Sequence, residues 1–202
     1  GDTFTTTING VEYSTTDANN YLPNAGKIGL YCCGEDVAVQ NVKVTDLDGT
    51  VLLEQPAASS GGYDSTWVPA ESFSSSLVVK DGKLHVNSAD LLVKGTYKDF
   101  IYESEVTINQ SQTESVFGLY FRKQDDNNLY MWQVNLNPGM GGMMLRPHVK
   151  VNGAWVDVRG IDLSRIDGAH VEYGVPFLFR MEAQGQVIKT YINGVLVDQW
   201  TS

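Results

Sequence analysis

Glu103 and Glu105 stand two places apart in the alternating run DFIYESEVTI at 99–108. A pair of carboxylates is the minimum equipment for cleaving a glycosidic bond. Positions i and i+2 of a strand share a face and lie ~6.8 Å apart along the chain. Retaining glycosidases hold their carboxyl groups ~5–5.5 Å apart and inverting ones ~6.5–9.5 Å. Side-chain torsions reach either distance, so catalysis through Glu103 and Glu105 stays open on spacing alone. The competing reading is a solvated strand face.

A second group is Asp46-Leu47-Asp48-Gly49-Thr50, directly after the apolar stretch NVKV. It matches the nucleophile loop of haloacid-dehalogenase-type phosphotransferases, where one Asp attacks phosphorus and Mg²⁺ neutralises charge. That chemistry needs a parallel sheet with crossover helices, and no stretch of this chain has sustained helical periodicity. Asp and Gly at these positions read instead as a hairpin turn. The loop also lacks the remaining ligands and the distal Glu of an EF-hand. A structural calcium ion stays open without identified ligands, and no other cofactor is implied.

Tyr120, Arg122, Trp132, Gln133, Arg146 and His148 form a third group. Sugar sites combine an aromatic platform with planar polar groups that bond hydroxyls, and Arg supplies a rigid donor fork. Strand parity sets Gly118, Tyr120 and Arg122 opposite Phe117, Leu119 and Phe121. It sets Arg146, His148 and Lys150 opposite Leu145, Pro147 and Val149. The expectation is that Glu103, Glu105, Tyr120, Arg122, Arg146 and His148 share one sheet face around a groove. Trp132 and Gln133 point opposite ways, so only one can join them, and core packing is the competing role for Trp132.

The elements that must position these groups are strands nearly throughout. After 99–108 come VFGLYFR at 116–122, the turn-rich KQDDNN, LYMWQVN at 129–135 and a glycine-rich loop over Pro138–Gly142. LRPHVKV at 145–151 runs through Asn152-Gly153 into AWVDV at 154–158, and Asn-Gly between alternating strands is a strong hairpin signal. FLFRMEA at 177–183, VIKTYI at 187–192 and a second Asn-Gly at 193–194 repeat the theme. One helical turn is expected near 162–167. Short strands with frequent glycine turns predict an all-β sandwich of two antiparallel, jelly-roll-like sheets.

Composition narrows the function. The 202 residues are 42% hydrophobic, enough for a substantial core. Twenty-four acidic against 14 basic residues give a formal charge of −10. No Lys/Arg cluster is present to neutralise phosphates, which argues against nucleic acid and against anionic membranes. No apolar run approaches the ~20 residues of a transmembrane helix, so membrane insertion is not expected. Cys32 and Cys33 are adjacent. Neighbouring Cα atoms lie ~3.8 Å apart, closer than the ~4.4–6.8 Å of an ordinary disulfide, so one is expected to be buried and the other to face outward.

The strands YESEVTI, GLYFRKQDDNNLYMWQVN, LRPHVKVNGAW and IKTYINGVLVDQW, spanning about 64–202, resemble concanavalin A-like or laminin-G-like modules of bacterial glycoside hydrolases, most nearly those accompanying α-L-rhamnosidases. The resemblance implies a non-catalytic carbohydrate-binding module of a secreted or cell-surface enzyme, with a glycan as partner. Glucanases of that broad fold set a third acid where this chain has Thr107. Such modules end in a "GkiGLy…NVkV" segment, which here stands first, at 26–44. The chain is therefore expected to be one sandwich over 1–202 in permuted order: closing strands at 1–50, a linker at 51–66 and the main body at 67–202. Residues 27–45 should complete the sandwich formed by 64–202, within one chain or by exchange in a swapped dimer. TTTINGVEYSTTD at 5–17 echoes KTYINGVLVDQWTS at 189–202, and is expected beside the 189–200 pair or in its place. An active glycosidase and a structural spacer are the alternatives to a binding module.

Overall fold

The computed structural model describes residues 2–8, 11–17, 24–34, 37–55, 67–69, 76–87, 89–93, 95–109 and 115–201. In chain order the strands are β1 (Asp2–Ile8), β2 (Val11–Asp17), β3 (Lys27–Gly34), β4 (Val37–Thr45), β5 (Val51–Gln55) and β6 (Trp67–Pro69). Then follow β7 (Ser76–Lys80), β8 (Lys83–Asn87), β9 (Ala89–Val93), β10 (Phe100–Ile108), β11 (Ser115–Asp125) and β12 (Asn128–Asn135). The last are β13 (Met144–Val151), β14 (Ala154–Val156), β15 (Ile161–Asp162), β16 (Phe177–Gln184), β17 (Val187–Ile192) and β18 (Val195–Thr201). Among the described residues the helical elements are two short 3-10 turns, Pro138–Met140 and Leu163–Arg165, the second where a helical turn was expected.

Two antiparallel sheets make the sandwich. The first has the order β18-β17-β16-β10-β4-β8-β7, with β5 also on β4; the second runs β14-β13-β12-β11-β3-β9-β6, with β15 also on β13. Strand alternation creates the interface between them. In β10 the inward-facing set is Phe100, Tyr102, Ser104, Val106 and Ile108, with Thr107 also buried, and in β11 it is led by Phe117, Leu119 and Phe121. Aromatic pairs tie the layers together: Phe117–Phe179 at 5.2 Å, Phe100–Phe121 at 6.4 Å and Trp132–Trp200 at 5.4 Å between ring centres.

β3 and β4 arch from one sheet to the other, each at mid-sheet. β3 pairs with β11 and β9, and β4 with β10 and β8. Ile28, Leu30, Val37, Val39, Val42 and Val44 from this arch are all buried in the core. At ~1.5–3 kcal/mol for each fully buried aliphatic side chain, their contribution is on the order of 10 kcal/mol. That rivals the ~5–15 kcal/mol net stability of a whole domain. Cys32 is buried with them; the Cys33 side chain, the Asn9-Gly10 turn and most of the expected linker, 56–66, lie outside the described residues.

The echo hairpin departs from expectation. β1 pairs with β2 in a two-stranded sheet of their own, and neither joins β17 or β18. The Asp46–Thr50 loop is the hairpin turn between β4 and β5. Gly49 N donates to Asp46 O at 3.0 Å, Thr50 N donates to Asp48 Oδ1 at 2.9 Å, and Gly49 takes φ of +91°. Its two carboxylates cap their own backbone.

Candidate functional site

The eight residues singled out from the sequence as carboxylate pair or sugar site do not share one face. β10 belongs to the first sheet and β11, β12 and β13 to the second, so Glu103 and Glu105 lie across the sandwich from Tyr120, Arg146 and His148. The expectation of a common groove is corrected accordingly: alternation tells which side of a strand a residue takes, not which sheet the strand joins.

On the outer face of the first sheet Glu103 accepts a 2.7 Å hydrogen bond from Arg180 Nη1. Arg180 also bonds Glu182 at 2.6 Å, and the Tyr191 hydroxyl donates to the other oxygen of Glu182 at 3.2 Å. Glu105 accepts from the Gln40 side chain. Both carboxylates are thus engaged in a cross-strand polar network, the ordinary furniture of a solvated sheet face.

Arg122 is the second correction. A bulge at Tyr120–Lys123 against β3, continued against β12, inserts an extra residue in which Arg122 takes φ of +48°. The parity flips there, and Arg122 turns inward at 0% exposure instead of joining the polar face. Its Nε donates to Lys98 O at 3.0 Å, and Nη2 donates to Gly185 O at 2.6 Å and Asp99 Oδ1 at 3.3 Å. Burial lowers its pKa, with Tyr130 and Asp99 opposing. Gly26 is needed beside it, because a Cβ there would come within 2.3 Å of the Arg122 carbonyl carbon.

Trp132 is fully buried, its ring 4.8 Å from Phe121 and 5.4 Å from Trp200, so it takes the core role. Tyr120 does point to the outer face of the second sheet, but at 7% exposure it is packed with Leu129 and Met131, edge-on to Tyr31 at 5.8 Å. It offers little surface to a ligand.

Arg146 and His148 point outward from β13 and are half-buried. His148 Nδ1 meets Arg146 O at 2.9 Å, and burial lowers the His148 pKa, keeping the ring neutral near pH 7. Beside them stands Trp155, which the sequence reading passed over. It is 59% exposed, 6.0 Å from the His148 ring, with Lys150 Nζ 5.3 Å from its centre. It follows the Asn152-Gly153 turn on a three-residue edge strand, away from the hydrophobic core cluster.

The chain then leaves the sheet. β14 pairs with one end of β13, at Val149–Val151, and β15 with the other, at Met144 and Leu145. Residues 157–160 arch past the middle of β13 without pairing. One side of the arch is a cleft of about 200 Å³ lined by Arg146, Pro147, His148, Trp155 and Asp157. On the other side a cleft of about 780 Å³ runs to the edge of the first sheet, lined by Asp157, Arg159, Arg165, Asp198 and Trp200. Val156, Asp157, Val158 and Gly160 are common to both.

Asp198 is placed there by a bulge. β17 and β18 shift register between Thr190 and Tyr191, leaving Val197 buried and turning Asp198 and Trp200 toward the larger cleft. Simple alternation along VLVDQW hides this. Burial raises the Asp198 pKa, with the Trp132 indole N–H pulling the other way. Asp198 Oδ2 and Trp132 Nε1 are both buried without a hydrogen bond of normal geometry. Arg165 is taken up by Asp162 at 2.9 Å. Among the described residues no group of three His, Cys, Asp or Glu side chains is arranged to hold a metal ion, and no helix is long and apolar enough to cross a membrane.

Two antiparallel sheets with aromatic and polar groups at one open edge define a jelly-roll β-sandwich. The family described as "3-keto-alpha-glucoside-1,2-lyase-like domain" matches residues 57–202, and the chain belongs to that family. Its fold is similar to that of the carbohydrate-binding module CBM66 from Bacillus subtilis, with a TM-score of 0.54 at 20% sequence identity over 68% of this chain and 80% of that one. No curated protein sequence matches the chain.

Proposed function

We propose that this chain is a non-catalytic carbohydrate-binding module, accessory to a secreted or cell-surface glycoside hydrolase, and that its ligand seats at the arch 157–160. The observation that carries the reading is Trp155: a mostly exposed indole at the mouth of a cleft, with Arg146, His148 and Asp157 around it. An aromatic face takes the apolar face of a sugar ring, and the planar polar groups bond its hydroxyls. The structural likeness to a carbohydrate-binding module supports the same reading. The test is a glycan array with the purified chain, repeated with Trp155→Ala. Binding that disappears with the indole supports it, and silence across the array leaves a spacer domain.

The family description favours a second reading, in which the chain is itself catalytic. Eliminating across C1 and C2 of a 3-keto-glucoside requires a base to take the C2 proton while the C1–O bond breaks. A carboxylate of raised pKa suits that task, and Asp198 in the larger cleft is one. Release of nitrophenol from a nitrophenyl 3-keto-α-glucoside by the purified chain, abolished in Asp198→Asn, would establish this reading over the first.

A further inference from the structure

We propose that the ligand is a neutral oligosaccharide of at least two rings that crosses the arch 157–160, with one ring against Trp155 and the next in the cleft of Asp198 and Trp200. This rests on the carbohydrate-binding reading and specifies its ligand.

The two clefts are neighbours by construction. β14 and β15 hold the two ends of β13, so the segment between them must bridge the gap, and it forms the wall that both clefts share. Sites that enclose a small ligand usually measure ~300–1,000 Å³. The cleft beside Trp155, at about 200 Å³, falls short of that, while its neighbour, at about 780 Å³, lies within it. A ligand held only at Trp155 would leave the larger space and its polar groups unused.

Those polar groups are disposed for hydroxyls on both sides. Among the described residues the guanidinium groups of Arg146 and Arg159 and the carboxylate of Asp157 carry no ion pair, and Asp198, whose carboxyl feels the Trp132 indole N–H, lines the larger cleft. Arg146 and Asp157 therefore stand in the smaller cleft and Arg159, Asp157 and Asp198 in the larger, with Asp157 on the shared wall. A sugar hydroxyl both donates and accepts, so this alternation fits it. A polyanionic sugar would bring its charge against Asp157, Asp198 and a chain of net charge −10. Trp200, half-buried on the cleft wall, supplies a second apolar surface.

The test is calorimetry with glucose and with malto-, isomalto-, cello- and laminari-oligosaccharides of two to six rings. Affinity is expected to rise roughly tenfold or more, about 1.4 kcal/mol, between one ring and three in at least one series. Asp198→Asn and Arg159→Ala are expected to remove most of that gain, whereas Trp155→Ala weakens binding at every length. Equal affinity for one ring and for many, or a gain that survives both cleft substitutions, would overturn the two-cleft ligand while leaving carbohydrate binding intact. No binding of any sugar, in these series or on a glycan array, would overturn both.

Discussion

Asp99 and Arg122 meet where the two sheets close on each other: Arg122 Nη2 donates to Asp99 Oδ1 at 3.3 Å, and the same oxygen accepts from Gly185 N at 2.9 Å. With the 2.6 Å bond from Arg122 to Gly185 O, one side chain from β11 holds both the entry to β10 and the β16–β17 turn. Arg122 is thus a clamp between layers. Arg122→Ala should cost about 3 kcal/mol, since removing one partner of a buried charged pair is typically worth ~3–5 kcal/mol and Asp99 is partly exposed. Glycan affinity of the remaining folded protein should not change. Urea unfolding and calorimetry on the same variant check both, and a stable variant that has lost affinity would restore Arg122 to the binding site.

Trp155 predicts the opposite pattern. Its ring covers no core residue and is mostly exposed. Trp155→Ala should shift stability by no more than about 0.5 kcal/mol, the usual span for surface changes, while lowering glycan affinity at least tenfold. Thermal unfolding and calorimetry separate the two; a large drop in melting temperature would make Trp155 structural.

How far the sequence was legible follows from what alternation can and cannot say. Where a strand is regular, it sorted the faces correctly: Phe100, Tyr102, Ser104, Val106 and Ile108 inward on β10, and Leu145, Pro147 and Val149 inward on β13. It misled where a bulge adds a residue and turns Arg122 into the interior, and it assigned no face to Asp198, which a second bulge turns toward a cleft. It was silent on which sheet takes each strand, so Glu103 and Glu105 were grouped with residues on the far side of the sandwich. Trp155 gave only a weak signal, a large aromatic just past a tight turn.

Asp198 carries a pH dependence with a definite sign. Burial raises its pKa in the folded chain above the ~3.9 of an unfolded aspartate. Between those two values the folded state binds more protons than the unfolded one, so this residue's contribution to stability falls as pH rises and levels off above the folded pKa. Wild type should therefore lose stability relative to Asp198→Asn as pH climbs from about 4 toward 7. Urea midpoints for the two proteins across that range decide it; a flat or opposite difference would show that burial does not govern the carboxyl.

The arch of β3 and β4 raises the question of whose sandwich it completes. It supplies an interior strand of each sheet, yet it precedes every neighbour it pairs with in sequence, and the hairpin before it pairs with no other described strand. Deleting residues 1–50 should abolish cooperative folding, because on the order of 10 kcal/mol of apolar burial goes with Ile28 to Val44. The same contacts would form equally well if the arch came from a second copy, the usual basis of a swapped dimer. Lys43 of β4 lies opposite Glu103 of β10, so a Lys43→Cys, Glu103→Cys double variant reports the source of the strand. Refolded dilute and oxidised, it should run as an internally linked monomer on a non-reducing gel. Refolded at high concentration, it should give a covalent dimer beyond any formed by the wild-type chain with Cys32 and Cys33. A linked monomer at every concentration would mean that the arch is never exchanged. A folded protein with neither link would refute the β4–β10 pairing itself.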